Sequence, residues 1–217
     1  MYVPSQFQVT EPSLLHHFID SHPLATLVVH DEAGLAADHV PLIRTILPDG
    51  SIELLGHVAK ANPLASKARN GIDCLVIFQG AQLYISPNGY ATKAQHGKVV
   101  PTWNYEAVHV TGKLTSFEQP EQLLELLEIL TNRHEANQPK PWKTSDAPAE
   151  YIESLLRAIV GIKIEVVSIV GKAKLSQNQP AENQQSLIQS LNQNNDAASN
   201  AMSQAIARGS FENPRDA

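Results

Sequence analysis

Ala25-Thr26-Leu27-Val28-Val29-His30, then Asp31-Glu32-Ala33-Gly34, then a run from Leu35 through Ile46, then Pro48-Asp49-Gly50, then Ile52-Glu53-Leu54-Leu55-Gly56-His57: this stretch decides the fold. Its apolar runs are short, and each is closed by turn-forming residues. Gly supplies a positive φ, Pro a preset φ, and Asp a side chain that bonds its own backbone. That is the pattern of antiparallel hairpins, and it predicts strands at 25–30, 35–46 and 52–57.

The same reading extends in both directions. Upstream, Leu14, Leu15, Phe18 and Ile19 form one face of a helix that Thr10 caps, with Pro12 in its first turn and Pro23 as its stop. Downstream, a short helix at 63–69 interrupts the strands, which resume at 74–78 and 82–86 across a turn at Gly80. Val108, Val110 and Gly112 alternate with His109, Thr111 and Lys113, the period of a half-buried strand. Residues 121–133 carry apolar side chains on two sides of a helix, and Tyr151, Ile152, Leu155, Leu156, Ile159 and Val160 make a second helical stripe that Gly161 ends. Ile162, Ile164 and Val166 then alternate with Lys163, Glu165 and Val167 in a last strand. Six or so strands joined mostly by turns predict a small closed or partly closed barrel, mainly β with peripheral helices (α+β), rather than a doubly wound parallel sheet.

Residues 177–204 hold thirteen Asn or Gln, with Leu187, Ile188 and Leu191 as the clear apolar stripe. This predicts a main domain over 1–178 and an amide-rich C-terminal helical tail over 179–217, partly mobile or docked on a partner subunit.

A 217-residue chain with 42% apolar residues can bury one sizeable core. Its first basic residue is Arg44 and no apolar run reaches membrane-spanning length, so the expected location is the cytoplasm, with no membrane partner. Cys74, the lone cysteine, lies in an apolar run and reads as a small buried hydrophobe. With 16 basic against 22 acidic residues the net charge is −6, which opposes a nucleic-acid backbone; direct DNA binding is disfavoured unless a local patch forms in a dimer. The histidines are scattered without metal-ligand spacing, and no Gly-x-Ser-x-Gly, Walker or Rossmann glycine pattern occurs.

Three segments gather polar chemistry. Val100-Pro101-Thr102-Trp103-Asn104-Tyr105 follows a loop, 86–98, that has no consistent period and supplies hydroxyls, an imidazole and two ammonium groups. Taken singly, Trp103 reads as core and Asn104 as a turn cap at least as readily as ligand contacts; together they read as the wall of a site. Gly56-His57-Val58-Ala59-Lys60-Ala61-Asn62-Pro63 leaves a strand and opens a helix, converging an ammonium and an amide on one spot suited to an anion. Alternatively Asn62 is a plain cap and Lys60 is solvated. Lys172-Ala173-Lys174-Leu175-Ser176-Gln177-Asn178 puts two lysines on one strand face, where they suit an anion or guard an exposed edge.

These segments, together with Met1-Tyr2-Val3-Pro4-Ser5-Gln6-Phe7, Val76-Ile77-Phe78-Gln79-Gly80, Tyr84-Ile85-Ser86-Pro87 and Ala158-Ile159-Val160-Gly161, resemble the PaiB-type FMN-binding negative transcriptional regulators over nearly the whole chain. The resemblance implies a split β-barrel of the pyridoxamine-phosphate-oxidase type, a homodimer, and FMN in clefts between subunits. It implies that Lys60 meets the phosphate with His57 and Asn62 beside it, and that His39, Val40, Pro41 and Leu42 offer backbone to the flavin ring. Trp103 and Asn104 would line the cleft, with Lys172, Lys174, Ser176, Gln177 and Asn178 on the phosphate or ribityl side. Where the family has an aromatic pair after Ser-Pro, this chain has Asn88-Gly89-Tyr90, which opens the cleft or weakens the flavin's hold. The functions implied are a flavin-binding regulator or, on the same fold, an FMN-dependent oxidoreductase or a haem-binding or haem-degrading protein.

Overall fold

The computed structural model describes residues 1–212. In chain order the elements are β1 (Gln8–Val9), α1 (Pro12–Ser21), β2 (Leu24–Asp31), β3 (Gly34–Pro41), β4 (Ile43–Ile46), β5 (Ile52–Ala59), α2 (Pro63–Lys67), β6 (Ile72–Ile85), α3 (Lys93–His96), β7 (Thr102–Phe117), α4 (Pro120–Glu135), α5 (Ala149–Leu156), β8 (Ile159–Lys174), α6 (Ala181–Asn192) and α7 (Ala197–Arg208).

The strands form one antiparallel sheet in the order β3-β2-β6-β7-β8-β5-β4, with β1 added on β8. The two ends of that order are consecutive halves of the single predicted run 35–46, broken at Leu42. Leu42 N–H still donates to Pro23 O at 2.8 Å, in register with the β2–β3 ladder, but Pro23 has no N–H to return the bond, and the ladder ends there. The first half pairs with β2 and the second turns to pair with β5, so the sheet returns on itself. Gly56 permits that return: a Cβ there would stand 2.7 Å from Pro41 O, a distance no side chain tolerates. This is the split β-barrel, with peripheral helices, that the hairpin grammar and the resemblance pointed to.

Two compact units divide the chain: Met1–His22 with Ile77–His109 and Ile169–Ala217, and Pro23–Val76 with Val110–Ser168. The second unit holds the ring-closing strands. Its interior is Leu27, Val29, Leu54, Val58, Val76, Leu114, Ile162 and Ile164, every one buried. Each contributes about 1.5–3 kcal/mol relative to an exposed side chain. Leu126 and Leu130 of α4 close one side over Ile43, with Leu55 and Phe117 packed around them.

In the first unit, α1, α6 and α7 bury Phe18, Ile19, Leu187, Met202 and Ile206 together with Phe78, Ile85 and Val108. The rings of His22, Phe18 and Phe211 stack in a column at centroid spacings of 4.2 Å. The amide-rich tail is thus two helices packed within this unit. Residues 213–217 of the tail lie outside the described residues.

Four local expectations are corrected. β6 runs unbroken through Gly80, where a Cβ would meet the Phe18 ring at 2.8 Å; this glycine serves close packing, not a turn. Gly161 lies inside β8 under the Phe117 ring, whose atoms would stand 2.3 Å from a Cβ, and the helix before it ends at Leu156. α1 is capped by Glu11 rather than Thr10, because Pro12 at the first helical position drives the residue before it extended. The sheet has eight strands, since β1, β4 and the long reach of β8 escaped the pattern.

Candidate functional site

β5 ends at Ala59 and releases Lys60, Ala61 and Asn62 onto the start of α2. Lys60 Nζ donates to Glu118 Oε2 at 2.7 Å, and Arg69 Nη2 reaches the other oxygen of that carboxylate at 3.3 Å. Lys60 first, and then Arg69, hold the Glu118 carboxyl below its usual range. Two cations therefore face one carboxylate, and one positive charge is left over in this trio. His57 is half-buried, and burial lowers its pKa, so at neutral pH it offers a neutral imidazole.

Asn62 caps α2: its Oδ1 accepts the Leu64 N–H at 2.8 Å while its Nδ2 donates to Asp38 Oδ1 at 2.8 Å. α2 has five residues, and its N-terminus is occupied by this cap. The anion-suited chemistry at this place accordingly rests on Lys60 and Arg69 rather than on free helix amides. On β3, His39 and Pro41 are exposed and Val40 is buried, as is Leu42 just beyond the strand.

The remaining predicted residues lie in the first unit and form a separate aromatic and ammonium cluster. Trp103 is 50% exposed and meets Tyr84 edge-on at a centroid spacing of 6.2 Å, so it is not core. Asn104, one residue on, faces the other way and is fully buried; it caps no turn. Its Nδ2 donates to Ser176 Oγ at 2.9 Å, while its Oδ1 has no hydrogen-bond partner among the described residues. Ser176 takes a φ of +63°, a left-handed conformation rare outside glycine, and Asn104 helps to hold it there.

Lys172 is buried, which overturns the picture of two exposed edge lysines. Its Nζ donates to the Tyr2 carbonyl at 3.2 Å and lies 5.0 Å from the Tyr105 ring centroid, so the charge is held by an aromatic face and one carbonyl. Lys174, half-buried, donates to Thr102 Oγ1 at 2.6 Å. Gln177 spends its amide on its own backbone, accepting from Leu175 N and donating to Ala173 O, and Asn178 is exposed.

The loop between β6 and β7 is pinned from α6. Ser186 Oγ accepts the Ala91 N–H at 3.0 Å and donates to Gly89 O at 2.8 Å. Leu187 lies over Gly89, where a Cβ would stand 3.1 Å from its Cδ1. Arg69, Glu118, Glu106, Asn183 and Ser186 all escaped the sequence reading. Asn-rich composition hid Asn183, and nothing in the spacing of Lys60, Arg69 and Glu118 announces that they meet.

Among the described residues no three His, Cys, Asp or Glu side chains gather to hold a metal ion, and no helix is long and apolar enough to cross a membrane. Cys74 is buried; burial and the neighbouring Asp73 push its thiol up to about 12, and it is no nucleophile.

The family model described as "Putative FMN-binding domain" matches residues 1–168. The protease synthase and sporulation protein PAI 2 of Bacillus subtilis is 34% identical over 191 residues, covering 88% of this chain and 89% of that protein. Among solved structures, the FAD and heme binding protein from Mycobacterium smegmatis aligns at a TM-score of 0.57 with 17% identity, over 77% of this chain and 73% of the other. A flavocytochrome from Azotobacter vinelandii aligns at 0.54 with 14% identity, over 77% and 69%. At such identities the structural likeness speaks to the fold alone.

Proposed function

This chain belongs to the FMN-binding domain family and to the PaiB type within it, and on that premise we propose that it is a regulatory flavoprotein, a negative regulator of transcription that acts as a homodimer. FMN is its cofactor. What supports putting the FMN phosphate beside Lys60 is that Lys60, just after β5, and Arg69 share the single carboxylate of Glu118, which leaves a cation for a phosphate. Lys60 would bind the phosphate, His57 and Asn62 would flank it, and His39, Val40, Pro41 and Leu42 would offer backbone to the ring. The flavin supplies hydride or electron transfer when bound. What these residues do is bind and orient it.

The net charge of −6 argues that regulation runs through a partner protein or through the flavin's state more than through direct contact with DNA. The homodimer is supported by a groove of about 500 Å³ in the second unit, lined by Val28, Leu35, Leu75 and Val167, of which Leu35 and Val167 stand open. A second reading, an FMN-dependent oxidoreductase, is favoured by the exposed Tyr84–Trp103 pair, a surface on which a planar substrate can stack.

The test is FMN titration of the full chain followed by a mobility-shift assay with and without bound flavin, and a nicotinamide-cofactor reduction assay on the loaded protein. FMN binding with a flavin-dependent effect on a regulatory complex supports the first reading. Turnover of nicotinamide cofactor without any regulatory complex moves the protein to the second.

A further inference from the structure

Glu106 sits within β7 at 4% exposure, and among the described residues its Oε1 has no hydrogen-bond partner. Arg208 Nη2, on the last turn of α7, stands 3.5 Å from that oxygen, at the outer edge of hydrogen-bond reach. Burial raises the pKa of this carboxyl; Arg208 and the Ala81 N–H hold its charged form against that, and the desolvation cost that is left is what a further cation would offset. The residue lines a cavity of about 210 Å³ together with Phe18, His22, Ala81, Gln204 and Glu212, all in the first unit. That is room for several water molecules at about 30 Å³ each, or for one small organic molecule.

The wall specifies what fits. Two carboxylates, Glu106 and Glu212, stand against one guanidinium, Arg208, so an anion would add a like charge and a neutral molecule would leave the buried oxygen uncompensated. Phe18 is fixed between His22 and Phe211 in the ring column, and Gly80 has no side chain to keep that ring away from β6 and β7. The cavity thus has a rigid apolar side and one unsatisfied anionic oxygen. No three His, Cys, Asp or Glu groups gather among the described residues as a metal site would require, which directs the reading to an organic cation.

We propose that this cavity is a binding site for a small organic cation: a primary ammonium group on Glu106 Oε1, carried on a compact apolar body that packs on Phe18 and Ala81. The Arg208 guanidinium is the resident competitor for the same oxygen and gives way when the ligand enters.

Calorimetric titration of the full chain with benzylamine, benzyl alcohol and benzoate tests this by charge at nearly constant shape. Benzylamine is expected to bind about tenfold or more tighter than the other two. Glu106→Gln keeps the volume and removes the charge, and should weaken benzylamine about tenfold or more. Arg208→Ala removes the competitor and should tighten benzylamine several-fold. Equal binding of the three probes, benzylamine affinity unchanged by Glu106→Gln, or affinity lowered by Arg208→Ala would each overturn the proposal. Where Glu106→Gln fails to fold, the comparison of probes on the unaltered chain and the sign of the Arg208→Ala effect decide it.

Discussion

Asn183 grips Thr92 with both ends of its amide: Oδ1 accepts the Thr92 N–H at 3.0 Å and Nδ2 donates to Thr92 Oγ1 at 2.9 Å. Both residues are buried, and Asn183 belongs to α6, beyond the residues that the family match covers. The amide-rich tail therefore orders the loop from which Trp103 emerges. Asn183→Ala leaves a buried backbone N–H without a partner and should cost about 1–3 kcal/mol. Amide exchange at Thr92, Gln95 and His96 should accelerate with it; unchanged protection there would mean that the loop holds its shape without α6.

Lys60→Ala should weaken FMN by about 10- to 100-fold, the worth of one charge-assisted bond to phosphate, while Lys113→Ala on an ordinary strand face should leave affinity alone. The pairing with Glu118 adds a second, opposite expectation. Because Glu118 and a phosphate would compete for the same ammonium, Glu118→Gln should tighten FMN. Quenching of flavin fluorescence measures all three variants. Loss in Lys60→Ala with loss also in Glu118→Gln would make the carboxylate a supporting group rather than a competitor.

The hairpin grammar from Ala25 to His57 was legible because turn residues and short apolar runs are local signals. The break at Leu42 was not: it depends on which residue faces Leu42 across the β2–β3 hairpin, and that residue is Pro23, which cannot extend the ladder. Glycines misled for the same reason. Gly80 and Gly161 look like punctuation in sequence, yet each is flat strand backbone beneath an aromatic ring from a distant element. Lys172 looked exposed because a lysine at strand period is usually solvated; the rings of Tyr2 and Tyr105 that cover it come from opposite regions of the chain. The place of Lys60 between strand and helix was legible, whereas its partner Glu118 follows another strand and carries no mark.

His57 and His109 supply a pH dependence whose sign can be fixed. Burial lowers the pKa of both in the folded chain, and the N-terminal ammonium lowers His109 further. The unfolded chain then binds more protons, so their contribution is present above about pH 6.5 and is lost as pH falls from there toward the folded values. Urea midpoints measured between neutral pH and pH 5.5 should decline, and His57→Gln should shallow that decline. An equally steep decline in the variant would remove His57 from the account. Asp31, Asp49, Glu118 and Asp196, all lowered by hydrogen bonds, act in a separate window at lower pH.

The groove lined by Leu35 and Val167 is expected to be covered by a second copy. A stable dimer buries about 800 Å² per partner. Sedimentation should give a dimer at all accessible concentrations, and Leu35→Lys with Val167→Lys should convert it to monomer without unfolding. A concentration-independent monomer in the unaltered chain would refute the assignment.

Trp103 and Asn104 are adjacent but face opposite sides of β7, and this separates their roles. Trp103 is half exposed and touches Tyr84 edge-on, so Trp103→Ala in the free protein should cost about 0.5–1.5 kcal/mol for the lost ring pair, well short of the roughly 3–5 kcal/mol of a core cavity. Asn104 is fully buried and tied to Ser176, whose left-handed backbone depends on support; Asn104→Ala should cost about 1 kcal/mol or more whether or not flavin is present. If Trp103 contacts FMN, its loss falls on the flavin-induced rise in melting temperature rather than on the free protein. Thermal unfolding of both variants with and without FMN makes the comparison. A full flavin-induced shift in Trp103→Ala would take the ring out of the site and leave Trp103 for the stacking of a substrate or partner.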